Sequence, residues 1–339
     1  MQPLKNSFIA FLPLLIVSQL IIPASHAEDR IKNLRGEAFT DPSHQVKMPA
    51  DWINKPIKYE QSAEKSDIVV VLEQDVYQTI IPLIQQYARE QKLRIRVKEG
   101  TCGIAAGALA RKTADIGGFC CPAGKEDRLP GLKFHTLGIV SKAFFVHPDN
   151  PVENVPLKQL RDIFRGTIYK WSELKTQKGL PAPDRMVRAV GRLHCQTRPG
   201  HWRLLLDNDK LFSPRLFEVG SIPDMIAQVA ADKDSIGWEA LSMVERYKNI
   251  GKVKVIKVDG YSPKNLEAIA LLKYPSYRTY NITTWEGKTL ENQKAQKLVA
   301  YLIKEVEHLS AGFGFVPSSR LRKAGWKFKG NELTGEPLK

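Results

Sequence analysis

Two rhythms of apolar spacing alternate along the chain. Residues 68–72 (IVVVL) form a continuous β-branched run, the pattern of a strand covered on both faces. Over 75–91 the spacing changes. Val76, Ile80, Leu83, Ile84 and Tyr87 recur at helical intervals, which predicts an amphipathic helix, and Pro82 predicts a kink in it. A strand is predicted at 93–97, a short helix at 104–111 and a third strand at 115–119. Strand–helix–strand alternation of this kind points to parallel α/β layers. Further helices are predicted at 157–164, 222–231 and 292–309, with a strand-like segment at 187–191. No internal repeat or low-complexity segment interrupts the pattern.

Upstream of the first strand, 28–66 is polar and carries several prolines, so it reads as an extended leader docked on the body. Residues 1–27 have the form of a secretory signal peptide. Lys5 precedes an apolar stretch at 8–22, and Ser25-His26-Ala27 offers small residues for cleavage. That stretch is short of the roughly 20 residues a membrane span needs. No cysteine follows at the cleavage point to carry a lipid. The expected location is therefore the periplasm. The formal net charge is +15, but lysines and arginines are scattered and form no compact basic block. With export, this argues against a nucleic-acid partner and for a solvated basic surface.

Three segments carry a resemblance. They are 144–174 (FFVHPDNPVENVPLKQLRDIFRGTIYKWSEL), 100–122 (GTCGIAAGALARKTADIGGFCCP), and 220–240 (GSIPDMIAQVAADKDSIGWEA) together with 269–280, which contains Tyr274-Pro275. Together they resemble the PstS-like phosphate-binding-protein family, over about 67–317. The resemblance implies an α/β, two-lobed periplasmic binding protein of the Venus-flytrap type, each lobe a mixed sheet flanked by helices. Residues 67–146 plus 275–339 would form lobe 1 and 147–274 lobe 2. The chain would cross near His147-Pro148 and return near 269–273. It further implies a non-enzymatic monomer that captures a small inorganic ligand in the interlobe cleft and delivers it to an ABC-type membrane permease or a sensor.

The loops that hold the ligand in that family differ here. Its small hydroxyl residues after the first strand are replaced by Glu73-Gln74-Asp75. Two carboxylates would repel phosphate in a dry cleft, although Asp75 also suits a helix N-cap. In the second loop Cys102 takes a Ser/Thr position at a helix N-terminus, where a thiol pKa is lowered, and Thr101 remains a hydroxyl donor. Cys120-Cys121 replaces a Ser-Arg type pair. In the fourth loop, 191–198, Cys195 stands where the family has serine, and Thr197 keeps the threonine. All four cysteines thus map to ligand loops.

The first ligand reading is accordingly a soft metal ion (Cu or Zn) or an arsenite-like metalloid. It would be held by Cys102, Cys120, Cys121, Cys195 and His194, with Glu73 and Asp75 beside them. The alternative is phosphate or a related oxyanion bound by Thr101, Arg192, Thr197 and Arg198, with Cys102 joined to Cys120 or Cys121 in a structural disulfide. Arg192 and Arg198 could instead pair with Glu73 or Asp75 across the lobes. A thiol- or metal-dependent redox enzyme using Cys120-Cys121 and His194-Cys195 ranks last, because no acid–base pair accompanies them. Trp171, Trp202 and Trp238 read as packing residues, and His135 and His147 as structural.

Overall fold

The computed structural model describes residues 39–175, 182–193, 204–206, 208–287, 289–309 and 311–338. The predicted signal peptide lies outside them. Strand β1 (Ile68–Glu73) is buried at every position and leads straight into helix α2 (Gln74–Glu90), which runs through Pro82 unbroken. Helix α1 (Ala50–Asn54) belongs to the leader. Strand β2 (Ile95–Gly100), helix α3 (Cys102–Ala110) and strand β3 (Ile116–Phe119) complete the first layer. β2 and β3 flank β1, both parallel to it. β2 begins two residues later than the pattern predicts, because the Leu93 N–H still closes the turn after α2 on the Ala88 carbonyl.

The feature the pattern did not reveal is β4 (Leu132–Val146), a 15-residue strand buried over its whole second half. It is followed by β5 (Asn154–Val155), helix α4 (Leu157–Arg165), β6 (Arg188–Gly191), β7 (Phe217–Glu218), helix α5 (Ile222–Ala231) and β8 (Ser235–Ala240). Then come helix α6 (Leu241–Arg246), β9 (Lys254–Val255), β10 (Lys257–Val258), helix α7 (Leu266–Ala270) and β11 (Tyr277–Trp285). Helix α8 (Gln293–Glu305), β12 (Phe315–Pro317), helix α9 (Ser318–Lys323) and a hairpin of β13 (Lys327–Lys329) and β14 (Glu332–Gly335) close the chain.

The main sheet runs β2-β1-β3-β11-β4-β8-β6-β7. β4 pairs with antiparallel β11 from Leu132 to Ser141 and with antiparallel β8 from Lys142 to Val146. The backbone therefore passes between lobes inside a strand, at Ser141-Lys142, before the His147-Pro148 turn. On the return, β11 starts at Tyr277 opposite Ser141, and Ile269 sits in α7 before it. Gly138 lets β12 cross β4, since a Cβ there would stand 2.3 Å from the Val316 carbonyl oxygen. Trp171 and Trp238 are core residues, as expected. The Trp238 ring meets Phe164 edge-on at 4.6 Å and stacks on Phe212 at 5.9 Å. His135 bonds Thr284 through Nε2 at 2.7 Å, and the His147 ring accepts from the Asp149 N–H inside its own turn, so both are structural. Among the described residues no helix is long and apolar enough to cross a membrane.

The leader docks through its backbone. The Val46 N–H donates to the Arg128 carbonyl and the Lys58 N–H to the Lys112 carbonyl, each at 2.9 Å. Lys112, fully buried, ends α1 by donating to the carbonyls of Trp52 (2.6 Å), Ile53 (3.1 Å) and Lys55 (2.6 Å). Its ammonium also lies 4.1 Å above the Trp52 ring. Lys112→Met should orphan three carbonyls and cost about 2–3 kcal/mol, the range for hydrogen bonds from a charged donor. Urea unfolding measures the loss, and limited proteolysis should cut first in the leader. Unchanged stability and an uncut leader would refute the anchor role.

Candidate functional site

Where β1 ends, Glu73 becomes the N-cap of α2. Its carboxylate accepts from the N–H groups of Asp75 (2.9 Å) and Val76 (3.5 Å). An N-cap needs an acceptor side chain on an extended residue, and Glu73 meets both conditions. The chain thus places its own anion at the helix N-terminus. Asp75, expected to be an N-cap candidate itself, instead points inward with no exposure and forms an ion pair with Arg278 of β11. The second amino group of Arg278 lies 3.2 Å from Glu239 of β8, and the other Glu239 oxygen lies 3.0 Å from Arg192, just after β6. A run of alternating charges therefore leads from the first lobe to the second: Asp75, Arg278, Glu239, Arg192.

Lys142, the first β4 residue paired with β8, completes the group. Its ammonium sits 5.0 Å from the centre of the Trp238 ring. Burial drives its pKa down to about 8, against the pull of Glu239 in the other direction. Burial likewise pushes Glu73 up to about 7. The Arg278 charge opposes that rise and the Glu239 charge adds to it. Three cations (Lys142, Arg192, Arg278) and three acids (Glu73, Asp75, Glu239) thus share one nearly dry volume at the lobe junction.

On the first-lobe wall, Thr101 caps α3 by accepting from the Ile104 N–H at 3.3 Å, which leaves its exposed hydroxyl proton for a ligand. Cys102, Cys120 and Cys121 are buried free thiols, with the Cys102 and Cys120 sulfurs 3.6 Å apart. The lowered Cys102 pKa expected from its helix N-terminus is overturned. The Cys120 contact does lower it, but the Cys121 contact, burial and the Glu73 charge outweigh that and hold the thiol well above its usual value. Contacts with Cys102 and Cys121, then burial, raise Cys120 in the same way. As for metal-holding groups, the ligand atoms of Glu73, Asp75 and Cys120 all lie within 4.8 Å of one another.

Of the residues singled out in the sequence, Glu73, Asp75, Cys102, Cys120, Cys121 and Arg192 meet at this junction, while Thr101 stands exposed at the start of α3. His194, Cys195, Thr197 and Arg198 lie outside the described residues, as does Trp202. Arg192 pairs with Glu239 of its own lobe and Asp75 with Arg278 of its own lobe, so the contact that spans the two is Arg278–Glu239. Sequence reasoning missed Arg278, Glu239 and Lys142. The available signal was a lone charge inside a strand otherwise fit for burial, as in SIGWEA for Glu239 and VSKAFFV for Lys142.

Comparison with known proteins bears on this geometry. The family profile described as a PBP superfamily domain matches residues 59–306. An ABC-type phosphate transport receptor from Vibrio cholerae shares the fold with a TM-score of 0.58 and 19% identity, over 74% of this chain and 99% of that one. A putative phosphate ABC transporter substrate-binding protein from Clostridium perfringens, solved with bound phosphate, gives a TM-score of 0.59 and 18% identity over 74% and 99%. No curated protein matches the sequence.

Proposed function

The chain belongs to the PBP superfamily, and from that premise we propose that it is a solute-binding protein for phosphate or a closely related oxyanion. It would work outside the cytoplasmic membrane and hand its ligand to an ABC-type permease. The observation that carries this reading is the convergence of Lys142, Arg192 and Arg278 on the lobe junction. Guanidinium groups and helix N-termini suit a tetrahedral oxyanion. The two solved structures that share the fold are described as phosphate-transport proteins, which supports the same ligand class.

The carboxylates, expected to repel phosphate, fit once protons are counted. A protonated oxyanion carries an O–H donor that needs an acceptor, and Asp75 or ionised Glu73 can provide one. Protonated Glu73 can in turn donate to an anionic oxygen. The reading with a thiophilic ion as the transported solute falls behind. The three buried cations at the junction disfavour a cationic ligand there.

Calorimetric titration of phosphate into chelator-treated, reduced protein tests the proposal. Saturable heat at one site per chain is expected, with sulfate and arsenate as comparison ligands. An absence of heat at millimolar phosphate would sink it.

A further inference from the structure

Three of the four cysteines converge on one spot of the first-lobe wall, and the oxyanion reading uses none of them. Cys102 is the first residue of α3, and Cys120 and Cys121 follow directly on β3. All three are buried, and the Cys102 and Cys120 sulfurs stand 3.6 Å apart. We propose that Cys102 and Cys120 are a covalent modification site, oxidised to an intrachain disulfide as the chain folds in an oxidising compartment, with Cys121 kept as a thiol. The proposal rests on the extracytoplasmic location given above and not on the identity of the ligand.

Geometry selects the pair. Sulfurs in a disulfide lie about 2.05 Å apart, so these two must close by about 1.5 Å, a distance that rotation of two side chains supplies. Cys120 and Cys121 are poorly placed to join each other. Consecutive Cα atoms lie about 3.8 Å apart, short of the roughly 4.4–6.8 Å that a disulfide spans. The sequence leaves Cys120 and Cys121 open as partners of Cys102, and the sulfur contact favours Cys120.

The chemistry of the thiols points the same way. Both are held well above their usual pKa. The reduced pair therefore gains nothing from a stabilised thiolate, unlike catalytic dithiols, in which a low-pKa thiolate favours the reduced form. The bond is accordingly structural and does not cycle. Burial and scarce thiolate also make these thiols slow to react once the wall has closed, so the bond forms during folding. It ties the first turn of α3 to the end of β3 within one lobe and leaves the passage between lobes at Ser141-Lys142 untouched. The competing explanation, three small packing residues, accounts for their burial but not for their convergence from two separate loops.

In the reaction the two thiols give up two protons and two electrons, and one S–S bond forms. A disulfide donor of the glutathione class accepts them and leaves as two thiols.

The test refolds the full, reduced and unfolded chain in equimolar reduced and oxidised glutathione. Remaining thiols are blocked with one alkylating reagent, the chain is reduced, and the released thiols take a second. Tandem mass spectrometry should find the second label on Cys102 and Cys120 in most chains and the first on Cys121. The oxidised chain should unfold about 5–10 °C above the reduced one, the rise expected for closing an 18-residue separation. Cys102→Ala, refolded in the same way and shown to be folded by circular dichroism, should carry the first label on Cys120 and show no such rise. In the wild type, first label on both Cys102 and Cys120, second label on Cys121 or Cys195 in place of Cys120, or equal unfolding temperatures would each overturn the proposal. Phosphate is titrated into reduced protein, so failure of either proposal leaves the other standing.

Discussion

Replacing Arg278 with methionine should destabilise the chain by about 3–5 kcal/mol, the cost of leaving buried charge without its partner. Arg278 neutralises Asp75 and Glu239 at once, and all three are essentially unexposed. Without it, Asp75 would lose its partner and Glu239 would keep only Arg192, in a medium that solvates charge poorly. Adding Asp75→Asn and Glu239→Gln to the variant should recover most of the loss, because the amides keep the shape and remove the charge. Urea unfolding of the single and triple variants measures both effects. A loss below about 1 kcal/mol in the single variant, the level of an exposed ion pair, would show that water reaches the cluster and that it is not a dry junction.

Oxyanion affinity should fall as pH rises, by about a hundredfold between about pH 6 and about pH 9, or about 2.7 kcal/mol. The sign follows from two groups. Glu73, raised to about 7, is protonated at the acid end, and Lys142, lowered to about 8, is still charged there. The six charged groups then carry one net positive charge. At the alkaline end Glu73 is ionised and Lys142 neutral, and they carry one net negative charge. Glu73→Gln should remove most of the change near neutrality. Comparing it with the wild type at each pH cancels the ionisation of phosphate itself. A wild type and variant with the same pH profile would count against Glu73 as the titrating group.

The same pKa shifts set opposite stability trends. Because the folded state raises Glu73, its contribution is present at acid pH and is lost as pH rises through about 7. Because the folded state lowers Lys142, its contribution is present at alkaline pH and is lost as pH falls through about 8. Glu73→Gln should therefore raise stability most at alkaline pH, which unfolding at several pH values will show.

Local pattern was enough to place β1, α2, α3, β3, α4 and α5, since each buries one face or both in a rhythm that neighbouring residues reveal. It also placed Glu73, Thr101 and the three described cysteines in loops that meet, through the family motifs. It missed β4 and β11 as long strands of the main sheet. The second half of β4 and all of β11 are buried, so the alternation that marks a strand is absent. The three missed charges lie on β4, β8 and β11, within such covered runs.

Partner choice was beyond the sequence for a different reason. Asp75 and Arg278 are far apart along the chain, and only the order of strands in the sheet brings them together. Cys102 shows the limit most plainly. Its place at a helix start, a local fact, argues for a lowered pKa, yet burial and the neighbouring thiols and carboxylate push it the other way. Sequence by itself determined the elements, the family fold and the loops that form the junction, because these follow from residue type and short-range spacing. The tertiary structure alone decided which charges pair and which way each group titrates, because desolvation and Coulomb energy depend on what lies within a few ångströms in space, whatever the distance along the chain.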